Sequence, residues 1–357
     1  MRSLPQIMTK NNYFKTNSGY ILPVSEKKYL IPFLTGTAKG TKYYEPAPSK
    51  DIKAEYLADK VLQFHQFIDI FSSLQIKIKN KSFLDIGTGN GLMPKTLLMS
   101  GLMKNVLGSD LYSPYEHESA SIPLEKQVFW KYINFIKKNI KKNTLSYVNY
   151  KNTVKGTAEK EVFKPEDIFI KKIDLKKLKE YKFKKIGAHN LNSLRKKFDI
   201  IYCKGIEHIP NWKLVVKNIS YASKKNSYVY LKIRPFYSYL GPHRFATSAI
   251  PWGHALLKDH EYKRYVNQFH KNRAKQMISS YFNTVTFPRH TIEELIRFFE
   301  LSNFSLICQK VETPPFLKQI LKFKNSIKNF DKLINKKGKI SNSELSSSVQ
   351  HLVFQKL

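Results

Sequence analysis

Arginine is scarce in this chain. Of 62 basic side chains in 357 residues only eight are arginine, at positions 2, 195, 234, 244, 264, 273, 289 and 297. The planar guanidinium fork is the richer choice for reading phosphate, so its rarity argues against a dedicated polyanion reader. Cysteine is rarer still: Cys203 and Cys308 are the two present, each inside an apolar run. That excludes a disulfide framework and reads as buried strand thiols in a reducing compartment. No segment approaches the ~20 apolar residues of a membrane span. The start, Met-Arg-Ser-Leu-Pro-Gln-Ile-Met, lacks the apolar stretch of a secretory signal. The expectation is a soluble, cytoplasmic protein.

Negative charge is also in short supply. Against 62 basic residues stand 27 acidic ones, for a formal charge of +35. Such an excess raises the local concentration of anionic partners, nucleic acid included. The excess is lysine, spread along the chain among many Asn and Ile residues, and these three types share AT-rich codons. Genome composition therefore accounts for much of the bias, and nucleic acid stays open as a second partner class. What is plentiful is apolar material: 42% hydrophobic residues with 13% aromatics supply a core, and 25% charge argues against global disorder.

Hydrophobic periodicity divides the chain. Residues 1–53 are mixed, with turn signals, and read as an N-terminal extension to a domain over 54–357. Leu57, Val61, Phe64, Phe67, Ile68 and Phe71 recur at helical spacing within Ala54 to Leu74. Strand and helix signals then alternate. Strands are expected at Ser82 to Ile86, Asn105 to Asp110, Asp167 to Ile170, Phe198 to Cys203 and Tyr228 to Ile233. A helix is expected over Trp212 to Ala222. The alternation predicts a parallel sheet covered on both faces. A helix from Thr291, with Glu294 completing a capping box, leads to a sixth strand, Asn303 to Val311. A basic amphipathic helix over Phe316 to Leu333 and a last strand, Val349 to Gln355, close the pattern with a late hairpin. Two insertions interrupt it, about 111–165 and 234–290.

The first strand runs into Asp85-Ile86-Gly87-Thr88-Gly89-Asn90-Gly91. Glycine tolerates positive φ and puts no Cβ between main chain and ligand, and the following helix offers free N–H groups at its start. A dinucleotide fingerprint wants a glycine where Leu92 stands, which counts against nicotinamide-dependent oxidoreduction. The spacing Asp-x-Gly-x-Gly-x-Gly instead resembles the first motif of class I S-adenosylmethionine-dependent methyltransferases. That resemblance implies a Rossmann-like, doubly wound, mostly parallel seven-stranded sheet with a terminal antiparallel hairpin, and S-adenosylmethionine as cofactor. It implies that Gly87, Gly89 and Gly91 pack under the cofactor while Asp85 orients the loop. Asp110, ending the second strand, would accept the ribose hydroxyls. Asp174, placed after the third strand, reads equally as an adenine contact or a cap. Cys203 ends the fourth strand beside the cofactor.

The next residues, Lys204-Gly205-Ile206-Glu207-His208-Ile209-Pro210-Asn211, resemble the Glu-His-(Val/Ile)-Pro segment of small-molecule methyltransferases, not the Asn/Asp-Pro-Pro-aromatic motif of base N-methylating enzymes. His208 is a catalytic candidate or a loop-fixing one. Some relatives with this pair use a divalent metal, but no second ligand cluster accompanies it, so no metal is expected. The segment with Gly241-Pro242-His243-Arg244 and Pro251-Trp252-Gly253-His254 reads as a lid with His243 and His254 as further base candidates, or as a packed loop. It also resembles methyltransferases associated with surface polysaccharides, which implies a small polar or glycan-like acceptor. O-methylation is thus the leading expectation, RNA methylation the second and a non-catalytic scaffold the third.

Overall fold

Two short strands, β1 (Tyr13–Lys15) and β2 (Ile21–Pro23), make an antiparallel hairpin ahead of the main sheet. The structure, a computed structural model, describes residues 13–24, 63–64, 66–89, 91–112, 174–239, 241, 250–270, 274–283, 289–313, 321–322, 324–325, 327–334 and 340–357. The apolar runs of the sequence become β3 (Lys81–Ile86), β4 (Met103–Asp110), β5 (Lys182–Lys185), β6 (Phe198–Lys204), β7 (Ser223–Ile233), β8 (Phe304–Glu312) and β9 (Val349–Lys356). They form one seven-stranded sheet in the order β5-β4-β3-β6-β7-β9-β8. The pairs from β5 to β7 are parallel, and β9 runs against both β7 and β8. The chain leaves β3 toward β4 and β5, then returns to β6 on the other side of β3. That reversal opens a crevice at the carboxyl ends of β3 and β6, the usual ligand site of an open α/β sheet.

The expected doubly wound architecture is therefore present. One face carries a helical segment at residues 66–73 and α1 (Leu92–Met99), where Phe67, Phe71, Leu92 and Leu97 pack on Phe83, Tyr202 and Tyr230. The other carries α2 (Trp212–Ala222), packed with Ile201, Val229 and Leu231. Each such buried side chain contributes roughly 1.5–3 kcal/mol. Further along lie α3 (Gly253–Leu256), α4 (Asp259–Phe269), α5 (Ala274–Asn283) and α6 (Ile292–Glu300), then α7 (Phe330–Ile334) and α8 (Asn342–Ser346). The predicted capping box of α6 forms: Thr291 Oγ1 accepts from Glu294 N at 3.0 Å, and the Glu294 carboxylate accepts from Thr291 N at 2.7 Å.

A third core lies apart from the sheet. Phe14 and Leu22 of the N-terminal hairpin, Trp252, Tyr262 and Tyr281 of the 250–283 region, and Phe330 of α7 pack together, nearly all with no solvent exposure. Trp252 donates its indole N–H to the Leu345 carbonyl at 3.0 Å. Segments remote in sequence thus build one aromatic unit, which Phe236 and Tyr237, shortly after β7, also join.

Two sequence expectations need correction. The strand expected at Asp167 to Ile170 falls outside the described residues; the strand paired with β4 is the lysine-rich Lys182–Lys185, an edge strand with Phe183 as its half-buried member. Edge strands carry lysine because it discourages further pairing, and that charge hides the apolar signal. The basic helix over Phe316 to Leu333 is not continuous either. Among its described residues, Asn329 at φ 60° breaks the run before α7 begins at Phe330. Of the helix expected from Ala54, residues 54–62 lie outside the description. Among the described residues no helix is long and apolar enough to cross a membrane.

Candidate functional site

At the carboxyl end of β3 the backbone alternates into the left-handed region at Gly87, Gly89 and Gly91, with φ of 69°, 57° and 71°. Main-chain and acidic partners hold this loop from behind. Gly87 N and Thr88 N both donate to the Ser109 carbonyl, at 2.9 and 3.1 Å. Thr88 Oγ1 donates to Asp85 Oδ2 at 2.7 Å, so the buried Asp85 carboxylate is turned into the loop. Gly89 N donates to Asp110 Oδ2 at 2.9 Å, while Tyr112 N reaches Asp110 Oδ1 at 3.2 Å. The predicted Asp85, Gly87, Gly89, Gly91 and Asp110 are therefore brought together in one structure.

A residue that sequence reading missed supports this loop. The Tyr181 ring enters from the 3₁₀ turn Leu175–Glu180, and its hydroxyl would lie 2.5 Å from a Cβ on Gly91 and 2.2 Å from one on Gly108. Burial pushes the Tyr181 phenol far above its ordinary value, and the Asp85 carboxylate adds to this. The other side of the loop is open. A Cβ on Gly89 would meet nothing within 4 Å, and one on Gly87 only the Lys204 carbonyl at 4.0 Å.

Beyond β4 and β5 lies a cleft of about 480 Å³ lined by Leu111, Lys185, Gly187, Asn190 and Asn192 among others. These residues were not foreseen, because they follow the unforeseen third strand. Asp174, by contrast, sits before that strand. Its N–H donates to Met99 O at the far end of α1 (3.0 Å), and its Oδ1 accepts from Lys176 N (3.0 Å). Of the two expected readings, adenine contact or cap, the structure shows the cap: Asp174 is the N-cap of Leu175–Glu180, joined to the end of α1.

The fourth parallel strand, β6, ends beside the loop. Cys203 is buried within the core on the α2 side of the sheet, and burial raises its thiol far above the ordinary range, with Glu207 and Asp85 adding to it. The side chain is a neutral core group, so at this position only main chain is offered to a ligand. Gly205 at φ 110° turns the chain into Ile206–His208, leaving the His208 side chain 31% exposed and its Nε2 4.0 Å from Glu207 Oε1. The loops flanking the crevice are fastened to each other. His189 Nε2 is 2.5 Å from the Pro210 carbonyl, and Asn218 of α2 donates to the His189 carbonyl.

Among the lid histidines, His243 lies outside the described residues. His254 is 3% exposed, and its Nε2–H donates to the Phe236 carbonyl at 2.5 Å. Burial pushes its pKa down to about 4, against the opposing effect of that hydrogen bond. The Gly241 main chain lies against the ring, where a Cβ would approach to 2.9 Å. This corrects the expected base: His254 is a neutral packing element of the lid core.

A methyltransferase-domain family profile matches residues 54–310. The chain belongs to the class I S-adenosylmethionine-dependent methyltransferases. Solved structures of methyltransferases are among those to which the chain is similar. One is magnesium protoporphyrin IX methyltransferase from Synechocystis with bound S-adenosylhomocysteine, 9% identical, covering 88% of this chain and 90% of that one at a TM-score of 0.39. Another is an S-adenosylmethionine-dependent methyltransferase from Mesorhizobium loti, 9% identical, covering 81% and 96% at a TM-score of 0.39. A third, from Thermotoga maritima, is 13% identical and covers 86% and 92% at 0.37. No curated protein gives a significant match.

The site of this methyltransferase fits the family's cofactor. Bare glycine main chain faces open space at Gly87 and Gly89, and a cleft of nucleoside size continues from the Asp110 end of β4 to the end of β5. The Asp110 carboxylate binds Gly89 N of the loop and directly precedes Leu111, which lines the cleft.

Proposed function

We propose that this methyltransferase O-methylates a small polar, sugar-like acceptor at the carboxyl ends of β6 and β7. S-adenosylmethionine supplies a methyl group already activated as a sulfonium. What the protein adds is in-line placement of the acceptor oxygen, removal of its proton and exclusion of water. Gly87, Gly89 and Gly91 would cradle the cofactor's amino-acid end, Asp110 its ribose, and the Gly187–Asn190 cleft its base. Of the two described candidate histidines, His208 is the partly exposed one and His254 is buried.

The observation that carries this reading is the aromatic lid. It starts at the end of β7, where Phe236 and Tyr237 are 4% and 3% exposed, and it has its own core. A built cap beside the crevice suits enclosure of a small molecule, which gains most from desolvation. The domain boundaries follow from the same reading: residues 54–357 form the catalytic domain, and the extension 1–53 completes its lid through the β1–β2 hairpin. A cytoplasmic setting accords with the two unpaired thiols.

RNA is the second reading. It is favoured by Lys176, Lys179, Lys182, Lys184 and Lys185, exposed along the β5 edge beside the cleft. The test is transfer of labelled methyl from S-adenosylmethionine to a panel of hexoses, nucleotide sugars, catechols, amines and total RNA. Incorporation into hydroxyl compounds supports O-methylation. Incorporation into RNA alone, with steep salt dependence, replaces it.

A further inference from the structure

Glu207 is a buried acid that the sequence offered only as half of a Glu-His pair. It stands in the turn after β6 and is 5% exposed. Its Oε1 accepts the main-chain N–H of Arg234 at 3.0 Å, the first residue beyond β7. The carboxylate therefore spans the carboxyl ends of the two strands over which an acceptor would lie. That hydrogen bond fixes the orientation of the group. Its second oxygen, Oε2, is fully buried and has no hydrogen-bond partner among the described residues.

Leaving one carboxylate oxygen unsatisfied in the interior is costly, and surviving examples call for an explanation. Among the described ion pairs, the basic atom set against this carboxylate is His208 Nε2, 4.0 Å from the other oxygen. If Glu207 served only to brace the lid against β6, glutamine would make the same bond to Arg234 and bury no charge. Oε2 is an acceptor for which the described residues supply no donor.

We propose that Glu207 Oε2 receives the acceptor's reacting hydroxyl and takes its proton, making Glu207 a catalytic base. The assignment rests on the O-methylation reading above and narrows the acceptor to a molecule presenting an O–H at the ends of β6 and β7. In the step, the acceptor oxygen bonds the methyl carbon as the carbon–sulfur bond breaks, its electron pair going to sulfur. The hydroxyl proton passes to Oε2, so a neutral sulfide, a neutral ether and a protonated Glu207 result. His208, at the rim, is then a lining residue and not the base.

The test uses the full-length protein and its Glu207→Gln and Glu207→Asp variants. The glutamine variant keeps the Arg234 bond, so its melting temperature should stay equal or rise, and its S-adenosylhomocysteine affinity by calorimetry should stay within about threefold. Its turnover on the hydroxyl acceptor found in the panel should fall at least about 100-fold with KM little changed, and Glu207→Asp should recover part of that loss. Turnover within about threefold of wild type would overturn the proposal. So would a drop of more than about 5 °C in melting temperature accompanied by lost ligand binding, which marks a brace. Turnover abolished by EDTA and restored by Mg²⁺ would overturn it too. If the wild type methylates only amines, the O-methylation reading fails by itself. An unaffected Glu207→Gln on that amine would then remove the base as well, while a matching loss would retain it as the proton acceptor.

Discussion

Asp110 and Gly89 are joined by a 2.9 Å hydrogen bond from the glycine N–H to the carboxylate, so the end of β4 holds the middle of the loop that follows β3. In the proposed cofactor site the same carboxylate would receive the ribose diol, and both tasks depend on its charge. Asp110→Ala should weaken S-adenosylhomocysteine binding by about 1.5–3 kcal/mol, the worth of a charge-assisted hydrogen bond. Calorimetry measures it. Unchanged affinity would show that the ribose lies elsewhere.

Gly108 is fixed by Tyr181. A Cβ at residue 108 would lie 2.2 Å from the Tyr181 hydroxyl and 2.9 Å from Thr88 Cγ2. Gly108→Ala should destabilise the protein by about 1–3 kcal/mol through overpacking and should lower cofactor affinity as Thr88 shifts. Adding Tyr181→Phe removes the nearer clash and should restore part of the stability. Urea denaturation of the single and double variants decides it; equal losses in both would show that Tyr181 yields freely.

Buried titrating groups give opposed pH limbs. Burial raises Glu344 to about 8, an effect that its bond from Ile292 N only partly offsets. A raised folded value means that stability is fully present below about 4.5 and is lost as pH rises through about 8. His254 is depressed to about 4, so its contribution is present above about 6.5 and lost as pH falls through about 4. Glu344→Gln keeps an acceptor for Ile292 and should raise stability at pH 8.5 by a few kcal/mol, on the order expected for a shift of this size. Melting curves at pH 5 and 8.5 test it: the gain should be small at the lower pH and large at the higher.

A polar chain ties the late hairpin to the parallel sheet. Tyr230 Oη is 2.7 Å from His351 Nδ1, and His351 Nε2 is 2.6 Å from Glu312 Oε1. Gln66 Nε2 donates to the same Glu312 oxygen at 2.5 Å, while Lys232 donates to Gln66 Oε1 at 2.7 Å. Burial opposes the charge on Glu312, but the His351 bond and the Lys232 charge outweigh it and hold the carboxyl below its ordinary value. His351→Phe strips this carboxylate of a partner and should cost about 3 kcal/mol. Adding Glu312→Leu should return part of that loss, because the uncompensated charge goes with it. Denaturant titration of both variants checks the sign.

The class of the protein was legible in a local pattern. Asp85 to Gly91 lies on consecutive residues, so the strand, the left-handed turn and the helix start could be read without knowing what packs around them. The core strands β3, β4, β6 and β7 were legible for a related reason: buried on both faces, they keep unbroken apolar runs. The Thr291–Glu294 cap was equally local. Residues whose role depends on distant neighbours were not readable. Lys182–Lys185 is a strand only because β4 pairs with it, and its solvent-facing lysines mask the period. Without that strand, Asp174 read equally as an adenine contact or a cap, and the Gly187–Asn190 cleft went unseen. His254 looked like a base because sequence shows its chemistry but not its burial. Only packing of Phe14, Trp252 and Phe330 into one lid core decided that the ring is sealed inside. Likewise, only the parallel pairing of β6 and β7 placed the Arg234 N–H against one oxygen of Glu207 and left the other without a partner among the described residues. Conformational demands of a glycine turn are local and are written in sequence. Desolvation and hydrogen-bond satisfaction depend on every atom around a group, and these the tertiary structure alone decided.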